Sequence, residues 1–456
     1  MQVDLAIKSK NIVTPTEIID GMILISDGKI VDIISSVSYG EEKESALLDF
    51  PIEDVGDHVV MPGIIDPHVH INEPGRTEWE GFDTATKAAA AGGITTLVDM
   101  PLNSSPVTTN KTNFQLKLDA ATNKIHVHCG FWGGVIPGNE NELEELLSSG
   151  ALGLKAFLTH SGIDDFPNTN AEHLRHALKI LKKFDKPLLV HCELDVAGHG
   201  EKELHENPQS YAAWLNSRPN AMEDEAIKMM IGLCRETGAH IHIVHLSSAN
   251  SIEQIQKAKA EGLPLTVETA QHYLFFDSES IPDGDTRYKC APPIRDKANR
   301  EKLWEALGNG TIDFVATDHS PAPPELKEIT SGNLQKAWGG IAGFQFALPA
   351  LWTAALERNY SVTDISKWLC ENPAKFLKLD LSKGKIAKGY DADLCVWMPA
   401  NNFVVGADNI HHRHKITPYL DQELYGIVKQ TYLMGNKIYA EGLFQNLNEG
   451  KIIMNS

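Results

Sequence analysis

The chain has 456 residues, of which 42% are hydrophobic and 22% charged, a composition typical of a globular protein. Its 41 basic and 61 acidic side chains leave a formal charge of −20, which argues against nucleic-acid or membrane-surface partners. No apolar run approaches the ~18 residues of a membrane helix, and Met1-Gln-Val-Asp-Leu5 has no secretory or transit signature. The six cysteines form no C-x-x-C pair. We therefore expect a reduced, cytoplasmic protein.

Short alternating apolar segments predict a small β module in residues 1–57. Segments 21–25 and 29–34 are strand-like, and Asp27-Gly28 between them is a typical hairpin turn. Strand-like texture returns near the other end of the chain, for example in residues 384–397. We predict that residues 1–57 and 381–456 pair into one composite β-sandwich domain.

Between residues 58 and 380, apolar strand-like runs alternate with charged helical stretches, a pattern typical of βα units. We count eight runs, in residues 59–65, 94–100, 125–131, 153–158, 187–191, 240–246, 265–270 and 312–317. Eight units predict an α/β fold of the TIM (β/α)8 barrel type, which spans roughly 200 to more than 400 residues. A doubly wound open sheet is the alternative, but the first run has no glycine-rich phosphate loop after it.

Polar residues close several of these runs, at the strand ends where barrels carry their chemistry. After the first run, His68-Val69-His70 points two imidazoles the same way, as two ligands of one cation require. This spacing is not diagnostic, because His126-Val127-His128 and His240-Ile241-His242 have the same form. The other strand-end candidates are Lys155, His191, His245 and Asp318.

Strand parity distinguishes the histidines of the sixth run. Ile241, Ile243 and His245 share one face of a strand, whereas His240 and His242 share the other. If the Ile241 face looks into the barrel, His245 is the ligand at the mouth and His242 is not.

Four histidines, one aspartate and one lysine exceed the needs of one tetrahedral zinc. They suit two divalent metals about 3.5 to 4 Å apart that hold a hydroxide between them. Lys155 fits only if burial and the metals keep it neutral, so that carbon dioxide converts it into a bridging carbamate. A substrate clamp or a salt-bridge partner is the alternative role for this lysine. Any one of the histidines alone would more often be structural. The set is more informative, because its members close different predicted strands.

Longer motifs around these residues resemble one known family, the metal-dependent amidohydrolases that act on cyclic amides. It comprises hydantoinases and dihydropyrimidinases, dihydroorotases, and allantoinases. The similarity runs over essentially the whole chain. Its motifs are Met61-Pro-Gly-Ile-Ile-Asp-Pro-His-Val-His70, Val190-His191-Cys-Glu, Val244-His245-Leu-Ser-Ser, Cys290-Ala-Pro-Pro-Ile-Arg295, Ala316-Thr-Asp318-His-Ser and Gly384-x-Ile-x-x-Gly389-x-x-Ala-Asp393.

Within the family the chain is most similar to the allantoinases, through segments such as 72–82, 217–219 and 336–343. Dihydroorotases similar in this region carry an arginine two residues past H-x-H that grips the substrate carboxylate. Asn72 occupies that position here and favours an uncharged ring. Hydantoinases usually place a tyrosine two residues before the lysine, where this chain has Gly153.

The resemblance implies a complete site. His68, His70 and Asp318 would hold the more buried metal, His191 and His245 would hold the other, and carboxylated Lys155 would bridge both. Asp318 would also be the catalytic base that orients the hydroxide and passes its proton to the leaving nitrogen. Substrate contacts, largely through backbone, are expected at Asn72, Asn103, Cys290, Ala291, Pro292, Ser320, Gly339 and Gly340.

The implied reaction is hydrolysis of the hydantoin-ring amide of allantoin to allantoate, in purine breakdown. Hydantoinase, dihydropyrimidinase or dihydroorotase activity is the alternative within the family. A catalytically silent scaffold is the alternative from another class, although such relatives usually lose ligands and this chain has every expected one. We expect zinc, while cobalt, manganese or iron would suit these ligands comparably. The resemblance also implies a homotetramer.

Overall fold

Strands and helices alternate through the middle of the chain, and its two ends are mainly β-structure, in the computed structural model of residues 3–36, 50–196 and 200–454. The strands are β1 (Leu5–Val13), β2 (Ile18–Ser26), β3 (Lys29–Ser35), β4 (Ile52–Asp54), β5 (Val59–Pro62), β6 (Ile64–Val69), β7 (Ile94–Asp99), β8 (His128–Phe131), β9 (Gly133–Gly134), β10 (Leu154–Phe157), β11 (Leu188–His191), β12 (Ile241–Ile243), β13 (Leu265–Ala270), β14 (Phe314–Ala316), β15 (Leu394–Val404), β16 (Glu423–Leu433), β17 (Asn436–Ala440) and β18 (Leu443–Phe444).

The α-helices of the same described residues are α1 (Phe82–Ala91), α2 (Lys111–Ala121), α3 (Leu143–Ser148), α4 (Ala171–Phe184), α5 (Glu201–Glu206), α6 (Tyr211–Ser217), α7 (Asn220–Thr237), α8 (Ile252–Ala260), α9 (Gln271–Phe275), α10 (Lys297–Gly308), α11 (Ala347–Leu356), α12 (Val362–Ser366) and α13 (Asn372–Phe376). A π-helical turn, Lys367–Glu371, joins α12 to α13. Within these ranges, no helix has both the length and the apolar character needed to cross a membrane.

Both ends of the chain contribute to one nine-stranded sheet with the order β18-β17-β16-β15-β5-β1-β2-β3, in which β4 also pairs with β1. The predicted hairpin joins β2 to β3 through Asp27 and Gly28, whose φ angles of 49° and 73° are left-handed. Strand β5 connects the two ends, because it pairs with β1 on one side and with β15 on the other. A separate sandwich domain bounded at residues 57 and 381 stays a prediction, and its segment 37–49 lies outside the described residues.

The first predicted barrel strand, in residues 59–65, is wrong as one element, because two strands divide it. Strand β5 belongs to the nine-stranded sheet, and only β6 joins the parallel strands. Gly63 separates the two, and a Cβ atom there would lie 2.3 Å from Oγ1 of Thr95 on β7. The lack of a side chain lets the backbone pass this close to β7 as it changes sheets. Apolar periodicity does not mark such a change of partner.

Parallel strands form two further sheets, with the orders β6-β7-β8 and β14-β13-β12-β11-β10-β9. Each of the seven other predicted runs contains one of these strands, so those predictions are confirmed. The sheets approach each other on both sides: Leu152 N donates to Phe131 O at 3.0 Å, and His70 N donates to His319 O at 2.7 Å. These contacts support the predicted barrel and bring the C-terminal ends of its strands together.

The predicted parity of β12 is wrong. Ile241 and Ile243 pack in the cluster shared with the surrounding helices. His242 instead stacks on Phe314, with ring centroids 5.2 Å apart, and Phe314 belongs to a cluster built from Ile65, Val98 and Leu189 of three other parallel strands. His245 still reaches the mouth, because the strand ends at Ile243 and the φ angle of His245 is 40°. Alternation therefore does not extend to that residue.

A buried ion pair fastens the end of β7 to the first histidine segment. Lys117 on α2 is 1% exposed and donates to the Asp99 carboxylate and, at 3.1 Å, to Met100 O. The other Asp99 oxygen accepts a hydrogen bond from Ile71 N at 2.8 Å. The pair thus holds the residue that follows His70.

We expect Lys117→Met to lower the free energy of unfolding by about 3–5 kcal/mol, because it leaves the Asp99 carboxylate buried and unpaired. The solvent-facing pair of Lys87 with Asp83 provides a matched control, and Lys87→Met should cost less than about 1 kcal/mol. Urea unfolding followed by circular dichroism compares the two variants. Equal losses would contradict a structural role for the buried pair.

Candidate metal centre

The six predicted metal ligands line one cavity of about 480 Å³. His68, Lys155 and His191 lie within the parallel strands β6, β10 and β11. His70, His245 and Asp318 lie one or two residues beyond the ends of β6, β12 and β14. All six side chains are buried. Parallel strands that end at one edge therefore bring together residues up to 250 positions apart in the sequence.

The ligand atoms form two adjoining groups. Oδ1 of Asp318 lies 3.2 Å from Nε2 of His68 and 3.3 Å from Nε2 of His70. Nδ1 of His191 lies 3.0 Å from Nε2 of His245. One nitrogen each of His68 and His245 and one oxygen of Asp318 all lie within 4.8 Å of one another. The first two contacts lie within the ligand sets that the family resemblance implies, and the cluster of His68, His245 and Asp318 crosses from one set to the other. The assignment of ligands to each ion stays a prediction.

Two unpaired buried atoms support a metal in this cavity. Nζ of Lys155 and Nδ1 of His245 have no hydrogen-bond partner among the described residues. Burial lowers the pKa of Lys155 to about 8, since removing a charge from water is costly. Imidazole nitrogens and a carboxylate are ligands that divalent transition metals prefer. The residues present therefore fit such ions.

Glu268, on β13, joins two histidines, and sequence reasoning missed it. Its carboxylate bonds Nδ1 of His68, and Oε2 lies 3.0 Å from Nε2 of His242. Burial would raise the pKa of Glu268, but both histidines hold it well below its usual range. Burial likewise opposes charge on His68, but Glu268 and Asp318 raise the pKa of that imidazole to about 9. The available signal was a lone charge inside the apolar run 265–270.

Glu193 holds His191 in a similar way. Its Oε2 lies 2.7 Å from Nε2 of His191, which leaves Nδ1 facing His245. Arg218 grips the same carboxylate with two nitrogens, and Nε lies 3.0 Å from Oε1. Burial would raise the pKa of Glu193, but Arg218 and His191 hold it well below its usual range. Such carboxylate partners fix the tautomer and the orientation of a metal-binding histidine.

Asp66 connects the first and last strands of the parallel set. Its Oδ1 accepts from His68 N and from Thr317 N, each at 3.2 Å. Burial raises the pKa of this carboxyl to about 7. The contacts position His68 against the segment that carries Asp318.

The structure separates the predicted substrate contacts into two sets. The residues that line the cavity are Asn103, Ala291, Ser320 and Gly339. The residues that do not line it are Asn72, Cys290, Pro292 and Gly340. Asn72 is 1% exposed, and its Nδ2 lies 3.4 Å from Pro321 O. Asn103 lies against the candidate ligands, because its Nδ2 is 3.3 Å from Nδ1 of His70.

Neither of the other histidine pairs lines the cavity. Nε2 of His126 lies 2.9 Å from Oδ1 of Asp83, and Nδ1 of His128 accepts a hydrogen bond from Lys451 N at 3.1 Å. His242 faces Glu268, and Nε2 of His240 lies 2.8 Å from Oγ1 of Thr266. Tertiary position, and not spacing, therefore distinguishes His68 and His70.

Two profiles of known protein families match this chain. The profile of the amidohydrolase family matches residues 59–437. The chain belongs to the amidohydrolase family. A second profile, the composite domain of allantoinase, matches residues 5–51. The family region thus includes all six candidate ligands.

Individual amidohydrolases match almost the full chain. It is 47% identical to the allantoinase of Arabidopsis thaliana, covering 96% of this chain and 88% of that relative. It is 43% identical to the allantoinase of Streptomyces avermitilis, covering 97% of each. The solved L-hydantoinase (dihydropyrimidinase) from Arthrobacter aurescens superimposes with a TM-score of 0.91 at 28% identity, over 100% of both chains. The predicted family and its closest branch, the allantoinases, are confirmed.

We expect Glu268→Gln to weaken metal binding about 10- to 100-fold. The neutral amide has only one acceptor oxygen, so it cannot accept hydrogen bonds from both His68 and His242. Competition with a chromophoric chelator measures the affinity. Glu253→Gln on the exposed face of α8 is the matched control and should bind metal as the wild type does. Unchanged affinity in Glu268→Gln would contradict an orienting role for this carboxylate.

Proposed function

We propose that this chain hydrolyses the hydantoin-ring amide of allantoin to allantoate. The proposal rests on the convergence of six ligand-type side chains in one cavity of a chain that matches allantoinases over nearly its whole length. Its polypeptide frame is a closed (β/α)8 barrel beside a composite β-sandwich of residues 1–57 and 381–456. Hydrogen bonds between the two parallel sheets support closure of the barrel.

His68, His70 and Asp318 hold one divalent cation in this proposal, and His191 and His245 hold the other. Two such ions, when bound, polarise the scissile carbonyl and lower the pKa of a shared water. Zinc is the expected metal, and cobalt, manganese and iron suit the same ligands. Glu268 and Glu193 turn the imidazoles of His68 and His191 toward the ions.

Lys155 would contribute as a carbamate and so supply oxygen ligands for both ions. Its neutral amine attacks carbon dioxide, an N–C bond forms, and one amine proton leaves to solvent. The resulting anionic carboxylate replaces a neutral amine and offers two oxygens as ligands. The burial of Lys155, its unpaired Nζ and its lowered pKa support this role.

Asp318 moves the proton of the reaction. Its carboxylate accepts a proton from the attacking water and passes it to the leaving ring nitrogen, which thereby leaves as the neutral NH2 end of a ureido group. Oδ1 of Asp318 lies beside His68 and His70, and one nitrogen of His245, from the other ligand set, lies within 4.8 Å of one of its oxygens. The carboxylate therefore adjoins both proposed ligand sets. One residue therefore serves as ligand, base and acid.

We expect Asp318→Asn to lower kcat by at least about 100-fold, since an amide cannot shuttle the proton. The barrel and most of the metal should remain, as circular dichroism and metal analysis would show. A kcat near that of the wild type would refute the shuttle.

Allantoin hydrolysis after metal removal and readdition tests the function itself. We expect the chelated protein to be inactive and a divalent metal to restore turnover, with full recovery only when bicarbonate supplies carbon dioxide for Lys155. Dihydrouracil and dihydroorotate assayed side by side distinguish the other branches of the family, since a preference for either would contradict the proposal. A metal content of about two ions per chain would argue against a silent scaffold, since such relatives usually lose ligands. The homotetramer and the cytoplasmic location stay predictions.

A further inference from the structure

One side of the cavity contributes none of the candidate metal ligands. It is formed by Trp214, Arg218 and Lys289, here named the donor wall, all of which line the cavity. Cζ of Arg218 lies 5.5 Å from the centroid of the Trp214 ring, and Nζ of Lys289 lies 4.6 Å from it. Helix α6 carries Trp214 and ends just before Arg218. An indole thus stands in the cavity wall beside the guanidinium of Arg218 and the amine of Lys289.

The indole of Trp214 has an unsatisfied donor. The residue is 7% exposed, and its Nε1 is buried without a hydrogen-bond partner in the part of the chain that the structure describes. Buried N–H groups are nearly always paired in native proteins, so an unpaired one beside a cavity points to a ligand that accepts from it. The ligand group opposite Trp214 should therefore carry a hydrogen-bond acceptor.

Arg218 offers a second donor at the same place. Glu193 occupies its Nε and Nη2, whereas Nη1 makes no hydrogen bond to another described residue. About one-fifth of the side chain is exposed. The bidentate contact with Glu193 fixes the plane of the guanidinium, so that Nη1 is held in a set direction.

Lys289 adds an amine to the wall without competing for the ligand. Burial lowers the pKa of Lys289 to about 7, so the fixed positive charge of the wall is that of Arg218. Its Nζ donates to the backbone oxygens of Ala337 and, at 3.4 Å, Gln335. Asp318 is the only carboxylate among the described residues that line the cavity, and it belongs to the candidate metal ligands. The opposite side therefore combines the fixed charge of Arg218 with free N–H groups, which favours a neutral or anionic acceptor.

We propose that the donor wall binds the exocyclic ureido group of the substrate, with the ureido carbonyl accepting from Nε1 of Trp214 and Nη1 of Arg218. This inference rests on the proposed function. Allantoin is a hydantoin ring that bears a ureido substituent, so a ring amide held at the histidines leaves the substituent for another side of the cavity. The wall would then distinguish allantoin from unsubstituted hydantoin, which lacks that carbonyl.

Trp214→Phe tests the donor wall, because it removes Nε1 and keeps an aromatic ring beside Arg218 and Lys289. We expect the ratio of KM for allantoin to KM for hydantoin to rise about tenfold, the effect of one lost hydrogen bond. Trp352→Phe is the matched control: its Nε1 donates to Pro399 O at 2.9 Å, and it does not line the cavity. The control should keep the wild-type ratio.

Arg218→Lys is the second variant, and it tests the donor wall even if Trp214→Phe does not fold. It keeps a cation for Glu193, and therefore the support of His191, but loses Nη1, and the same ratio should rise. An unchanged ratio in the folded variants, or an equal rise of both KM values, would overturn the donor wall while leaving the proposed function intact. Wild-type protein that hydrolyses hydantoin and not allantoin would overturn both.

Discussion

Buried charge at the ends of the parallel strands is the constraint on which the rest of this structure depends. Removing carboxylates and imidazoles from water is expensive, and each must find a partner of opposite charge or a metal. Glu268 satisfies His68 and His242, and Glu193 satisfies His191 and Arg218. These contacts turn the remaining ring nitrogens into the cavity. The electrostatic balance of the interior thereby determines the direction of the candidate ligands.

The same contacts connect the metal side of the cavity to the substrate side. Glu193 lies between His191, which faces His245, and Arg218, which lines the donor wall. A change at Arg218 would therefore act both on the binding of a substituent and on the orientation of an imidazole. Arg218→Lys is informative there, because it keeps a cation for Glu193 and so preserves the orientation of His191. It removes the donor Nη1 that would bind the substituent.

The division of the first apolar run shows how the two parts of the fold meet. Strand β5 completes the nine-stranded sheet, and β6, one residue later, carries His68. The close approach of Gly63 to Thr95 makes that change of sheet possible. The amide of Ile71, just beyond His70, is in turn bound by Asp99, which Lys117 neutralises. The position of the first histidine pair thus depends on both the sheet junction and a buried ion pair.

The sequence alone determined seven of the eight strand runs, the six candidate ligands and the family, because these depend on residue type and local order. Only the tertiary structure decided which residues meet. It assigned His242 to Glu268, placed Asn72 outside the cavity lining, and brought Trp214 and Arg218 into it. The parity argument for His245 fails, because Ile241 and Ile243 pack toward the surrounding helices and β12 ends before His245. Local periodicity fixes the direction of a side chain within one strand, whereas its partners depend on the register and packing of strands that are distant in the chain.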